Sequence, residues 1–367
     1  MSIAIHERLK SEEALIALFR SSEELGSTTT PLTKLNDTVL HFAAQLGYIN
    51  FLQSLPPTTQ WNICNAEGKT PLHDAAQFRK EDIVSFLIKD RQVDPDPLKR
   101  ADWTPLMLAC TKVNNVKSIR ILIEDGEADL LRVNKDGWTP FHLIVCEGDL
   151  ESIKYILSVT PEAWKTRSHN GRTPLHIAAL NGHIQVVERL VHFYEFEEPD
   201  STGSTPIMEA IRGGHLDIVK LLCYNDLIDT KTLDKMGRNY FMIAASVGEC
   251  EILKYFALLV DPSVEFSKTT LKGGMSVVHW AANGGQSKSL EYLIQVVKQD
   301  TIHAPDDNGR TPLDHAIVSG SHESVSVILE ALPKDSLNLE DIELRLGSVM
   351  KPHIKKILRS KLLSPSR

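Results

Sequence analysis

The chain has 367 residues and a formal net charge of -8, with 42% hydrophobic and 24% charged residues. That balance excludes wholesale disorder and collagen-like repetition, and no apolar run approaches the roughly 18 residues of a membrane-spanning helix. The negative charge argues against general nucleic-acid binding while leaving room for a local basic patch.

In chain order, Met1 to Lys10 carries Glu7, Arg8 and Lys10 and lacks the apolar stretch of a signal peptide, so the chain is expected in the cytoplasm. Cys64, Cys110, Cys146, Cys223 and Cys250 are scattered and never form CxxC, which predicts buried thiols rather than disulfides or a zinc site. Leu9, Ala14, Leu15, Ala17, Leu18 and Phe19 fall at helical spacing, so Ile5 to Phe19 reads as a cap helix within an N-terminal segment 1–35.

A repeated phrase follows. Thr70-Pro71-Leu72-His73 returns as Thr173-Pro174-Leu175-His176, with near copies at Thr104, Thr139 and Thr311 and weaker ones at Thr38, Thr205, Asn239 and Ser276. Successive starts lie 32 to 37 residues apart, which makes nine units between residues 36 and 329. In the unit Gly171 to Val191 the glycine permits a turn, Thr173 can cap a helix and Pro174 sits where an amide hydrogen is not needed. Leu175, Ala178 and Ala179 give a narrow apolar face, Asn181-Gly182-His183 breaks the chain, and Ile184 to Val191 form a second, bulkier face. Neither helix buries its stripe alone, so the units must stack. His192 to Asp200 is read as replacing the turn that opens the sixth unit. Segment 330–367 is expected to supply C-terminal capping helices around Leu339 to Leu346 and Ile354 to Leu362, with a basic tail. A solvated helix face accounts for that tail, with nuclear import or phosphate binding as the rival reading, so the nucleus is a second candidate compartment.

The period and the T-P-L-H-x-A phrase resemble the ankyrin repeat. The resemblance implies an all-α solenoid of nine helix-turn-helix repeats with degenerate terminal caps, acting in protein-protein interaction as a monomer. Phosphate-loop, dinucleotide, nucleophile-elbow and zinc-protease motifs are absent, so neither an enzyme nor a cofactor is expected. His41, His73, His142, His176 and His279 share one repeat position, and hydrogen bonding to neighbouring turns is expected of them rather than metal ligation.

Function is expected on the turns, called fingers below, that precede each first helix. The residue before the turn threonine is Lys69, Trp103, Trp138 and Arg172 in units two to five. A tryptophan adds nothing that a tight turn requires, and exposed tryptophans are enriched at binding hot spots. Lys69, Lys99, Arg100, Lys135, Lys165 and Arg172 form a local reversal of sign, suited to an acidic or phosphate-bearing partner and not requiring nucleic acid or membrane.

Three phrases, Lys99 to Met107, Asn134 to Trp138 and Pro161 to Thr166, resemble a nine-repeat vertebrate branch of the ankyrin superfamily that partners alanyl-tRNA synthetase. That resemblance implies a role in aminoacylation fidelity, with lysine amines accepting serine that the synthetase has wrongly activated. The implied acceptors are Lys135 and Lys165. At the third acceptor position stands Arg100, a poor nucleophile, with Lys99 beside it as the substitute. The alternative is an adaptor recruiting substrates to a ubiquitin ligase or signalling complex, although residues 330–367 carry no recognisable ligase-binding motif.

Overall fold

The computed structural model describes residues 11–21, 27–194, 198–223, 229–333, 339–346 and 350–362. The described chain is helical, and its only bridges between extended residues are Lys99 to Trp103 and Thr269 to Ser276. Helix pairs begin at all nine expected starts. The chain divides into two compact units, Met1–Ala178 and Ala179–Arg367.

In the first unit, the helix Glu12–Ser21 precedes the pairs Val39–Leu46 with Ile49–Ser54, Pro71–Gln77 with Glu81–Ser85, Pro105–Cys110 with Val116–Arg120, and Pro140–Glu147 with Leu150–Val159. The second helices of repeats two and three run on into single π-helical turns, Phe86–Asp90 and Ile121–Asp125. Ala43, Ala44, Ala75, Ala76 and Ala109 are fully buried, and their small side chains let consecutive first helices approach closely. Glu12 covers the start of the stack by accepting hydrogen bonds from the Phe51 amide and the Asn50 side chain, both at 2.8 Å. Leu15 is buried, and Phe19 meets Phe51 edge-on at 5.2 Å. The part of the expected cap before Ser11 lies outside the described residues.

The threonine and histidine of the repeated phrase work as a pair. In repeat two the Thr70 amide donates to His73 Nδ1 at 3.0 Å, which leaves the ring proton on Nε2 to donate to the Trp103 carbonyl at 3.2 Å. His41 holds the Lys69 carbonyl at 2.9 Å in the same way. The expected structural role is thus observed for His41 and His73, each ring fixing the residue that precedes the next repeat's threonine.

The helix Pro174–Asn181 opens the fifth repeat, and the second unit continues with Ile184–Leu190 and four further pairs beginning at Pro206, Tyr240, Val277 and Pro312. His279 repeats the histidine bond, reaching the Arg310 carbonyl at 3.2 Å. Residues 195–197 of the irregular stretch lie outside the described residues, but the sixth finger is not replaced as expected. Asp200 Oδ1 accepts from the Thr202 and Ser204 amides at 2.7 and 3.0 Å, and Gly203 takes φ 78°, so the ordinary turn forms at its usual distance from Thr205. At the C-terminal end, the helix Pro352–Leu362 buries Ile354 and Leu358 against the helix His322–Ala331. Glu343 meets Lys355 and Arg359 at 3.2 and 3.1 Å, which neutralises part of the basic tail.

Candidate protein-binding surface

Each finger is a short hairpin that needs its turn amides satisfied and one or two residues in the left-handed region. In most repeats an Asx residue five positions before the turn threonine meets the first need. Asn65 Oδ1 accepts from the Glu67 and Lys69 amides, both at 2.9 Å, and Asn134 Oδ1 accepts from those of Asp136 and Trp138 at 3.0 and 2.9 Å. Glycine meets the second, with Gly68 at φ 79° and Gly137 at φ 75°.

The third finger departs on both counts. Lys99 occupies the Asx position, and Ala101 and Asp102 take φ 68° and 62° without glycine. A left-handed residue bearing a Cβ costs roughly 1–2 kcal/mol. The hairpin closes through its backbone, the Lys99 amide donating to the Trp103 carbonyl and the Asp102 amide to the Lys99 carbonyl, both at 3.0 Å. Relieved of capping, the Lys99 side chain lies across its own finger, with Nζ 5.5 Å from the centre of the Trp103 ring.

Neighbouring fingers are joined edge to edge. The Arg100 amide donates to the Glu67 carbonyl at 2.7 Å, the Lys135 amide to that of Ala101 at 3.1 Å, and the His169 amide to that of Asp136 at 3.1 Å. Arg100, Lys135 and His169 therefore occupy one register on successive fingers, and all three side chains are exposed. Trp103 and Trp138 are half-buried. The Trp138 ring leans toward His142, 6.1 Å between centroids and tilted by 38°.

The electrostatics separate the predicted site residues further. Lys69 bends back onto its own helix, with Nζ 2.9 Å from Gln77 Oε1 and 3.5 Å from Asp74 Oδ1, and so presents a largely compensated charge. Burial pushes the Asp74 carboxyl up to about 6, with Lys69 opposing. Burial also lowers Lys99, with the Lys69 cation adding to the effect. His73 is held down at about 4, again by burial first, against the opposing hydrogen bond to the Trp103 carbonyl. Lys69, His73, Lys99 and Trp103 thus form one interacting group, and Arg100 and Lys135 are neighbouring finger-tip cations. Lys165 stands apart from that register, exposed on the 3-10 turn Ala163–Lys165 with Nζ 5.5 Å from the Trp164 ring. Arg172 is half-buried before Thr173.

The sequence reading missed the displaced Asx residue and the Asp74 counter-ion. The first was readable by aligning the column Asn65, Lys99, Asn134, Ser168, Asp200. The second was not, because it depends on which way a lysine bends. Among the described residues no group of three His, Cys, Asp or Glu side chains could hold a metal ion, and no helix is long and apolar enough to cross a membrane.

The family model for ankyrin repeats (3 copies) matches the chain in six overlapping stretches, 3–99, 40–130, 92–167, 141–234, 190–266 and 241–341. Similar curated proteins include the human transient receptor potential cation channel subfamily A member 1, 24% identical over 79% of this chain and 26% of the channel. A second is the probable 26S proteasome regulatory subunit p28 of Saccharomyces cerevisiae, 29% identical over 45% of this chain and 76% of that subunit. A third is mouse rabankyrin-5, 29% identical over 49% of this chain and 16% of that protein. The chain spans about a quarter of the length of the channel it matches, so the likeness there covers the repeats alone. With nine helix pairs, threonine caps and bridging histidines among its described residues, the chain belongs to the ankyrin repeat family, whose repeat domain is a protein-interaction module rather than a catalytic one.

Proposed function

We propose that the fingers of repeats three to five dock on alanyl-tRNA synthetase and support translational fidelity by accepting misactivated serine on lysine side chains. Two things support this reading. The finger phrases around Trp103, Trp138 and Trp164 resemble those of the vertebrate ankyrin repeat domain-containing protein 16, and the finger backbone holds the cations Arg100 and Lys135 in one register beside two half-buried indoles. The register carries the argument, because a comb of fixed spacing can present cations to an acidic surface without ordering them on binding.

In the capture step a neutral lysine amine attacks the acyl carbon of seryl adenylate. The acyl C–O bond breaks, AMP leaves with the electron pair, an amide forms and the amine's proton passes to solvent. Lys135 and Lys165 are exposed acceptors, whereas Lys99 is half-buried and holds its proton less tightly. Arg100 contributes charge and no nucleophile. Capture is stoichiometric, without turnover. The cytoplasm, where the synthetase works, is the compartment this reading requires.

The test pairs binding with mass spectrometry. Purified synthetase is expected to bind the chain, and Trp103→Ala with Trp138→Ala should weaken that binding by about 2 kcal/mol or more. Incubation with synthetase, ATP and excess serine should add seryl mass at Lys135 or Lys165. Undiminished binding by the double variant removes the docking site, and a spectrum without seryl mass removes the capture step.

A second reading is an adaptor for a ubiquitin-dependent complex. It is favoured by the yeast relative, described as a probable proteasome regulatory subunit and matched over 76% of its length. A purified proteasome or ligase complex bound in preference to the synthetase would select it.

A further inference from the structure

We infer that the fingers of repeats seven and eight, in the second unit, form a separate docking surface for an acidic segment with apolar anchors on a partner protein. Leu233, Met236 and Leu271 are 38%, 56% and 86% exposed, on consecutive fingers. The two fingers touch: a Cβ placed on Gly237 would lie 3.7 Å from Thr270 Cβ and 3.9 Å from the Leu271 amide nitrogen. Met236 and Leu271 are thus next to the residues, Gly237 and Thr270, at which the two fingers meet, and none of the three apolar side chains caps a helix or fills the core. Packing between repeats is already provided by Tyr240, Phe241 and Phe266, each fully buried.

The charges around the patch specify what would cover it. Lys231, Lys235 and Lys272 are exposed on the same two fingers. The acids of these fingers are engaged within them. Asp234 is buried against Arg238 at 2.7 Å, with Arg212 at 3.6 Å, and it caps the Met236 and Arg238 amides. Glu265 pairs with Lys268 at 2.6 Å, and Asp229 accepts from the Lys231 amide and the Thr232 hydroxyl. One exposed carboxylate, Asp307 on the ninth finger, borders the tip at Gly274. Against it stand three exposed lysines, so on a chain of net charge -8 this mainly cationic rim attracts carboxylates at its edge and apolar side chains at its centre. The eighth finger also follows the longest interval between repeat starts, Asn239 to Ser276, and carries the pair Gly273-Gly274 at φ 87° and 58°. This longer tip presents Leu271 outward.

The probe is a fluorescein-labelled helical peptide of alternating leucine and glutamate faces, titrated with the full chain at low ionic strength and read by anisotropy. Saturable binding is expected, and the same pattern with lysine for glutamate should not bind. Leu271→Asp with Met236→Asp, and separately Lys235→Glu with Lys272→Glu, should each weaken binding about tenfold. All four sites are exposed, so an unchanged thermal midpoint checks folding. Trp103→Ala with Trp138→Ala should leave the peptide's affinity unaltered, which keeps this result independent of the synthetase reading. The inference is overturned by equal binding of the acidic and basic peptides, by no saturation below about 1 mM, or by variants that bind as well as the parent. Sedimentation showing a dimer lost with Leu271→Asp would assign the patch to a second copy and likewise overturn it.

Discussion

The third and fourth fingers build the same hairpin in opposite ways. The fourth satisfies its amides with Asn134 and its left-handed residue with Gly137, so local chemistry suffices. The third has Lys99 and Asp102 in those places; both fingers receive a backbone bond from the finger before, but only the third is also held from outside by a histidine, His73, at the Trp103 carbonyl. Below the fourth finger the histidine position is Met107. A turn relieved of its own cap can therefore carry a lysine across a tryptophan, but it then depends on the preceding repeat. The chain places its unusual chemistry where the scaffold, rather than the loop, sets the geometry.

Acid should separate the two most strongly. His73, His142 and His279 are depressed to about 4, so the folded chain binds fewer protons than the unfolded one between that value and 6.5. Their contribution is complete above pH 6.5 and lost as pH falls toward 4, about 3 kcal/mol for each ring fully protonated. Asp74, raised to about 6, and Asp96, also raised by burial, act in the other direction, stabilising the fold as pH falls toward 3.8, while His41, lowered by burial, adds to the three rings. Urea midpoints should fall from pH 7 to pH 4.5, and amide exchange should speed up in the third finger before the fourth. A flat profile would remove the external support assigned to the histidines.

Next in size, His73→Ala should lower stability by about 2–4 kcal/mol through the lost bonds and the cavity left at a fully buried site. Exchange protection at Trp103 should drop more than at Trp138. Asn134→Lys, which gives the fourth finger the third's residue without its histidine support, should cost about 1–3 kcal/mol by uncapping two amides. The smallest effect comes from Asp102→Gly, which relieves a left-handed residue and should stabilise by about 0.5–1 kcal/mol. If that substitution destabilises, the strain assigned to the third finger is wrong.

Much of this fold was legible in the residues, because the repeat fixes both the helix starts and the caps. Thr104, Thr139, Thr205 and Thr311 cap as expected, and the shared histidine position foretold the bonds of His41, His73 and His279 to neighbouring turns. The site was legible in its column and not in its contacts. Trp103 and Trp138 could be placed before their threonines, but how far each ring turns inward depends on rotamers that no spacing specifies. Lys69 could be grouped with the basic residues, yet Asp74 and Gln77, on the first helix of the same repeat, compensate it. The sixth finger was misjudged because the acids and aromatics of 192–200 drew attention from Asp200, whose carboxylate does the work of an asparagine.

The bonds joining finger to finger run from main-chain amide to main-chain carbonyl, at Arg100, Lys135 and His169 alike. Substituting a side chain at a tip therefore leaves the interval between tips unaltered. What the molecule grasps can be rewritten one residue at a time, while the pitch at which it grasps is inherited from the peptide backbone.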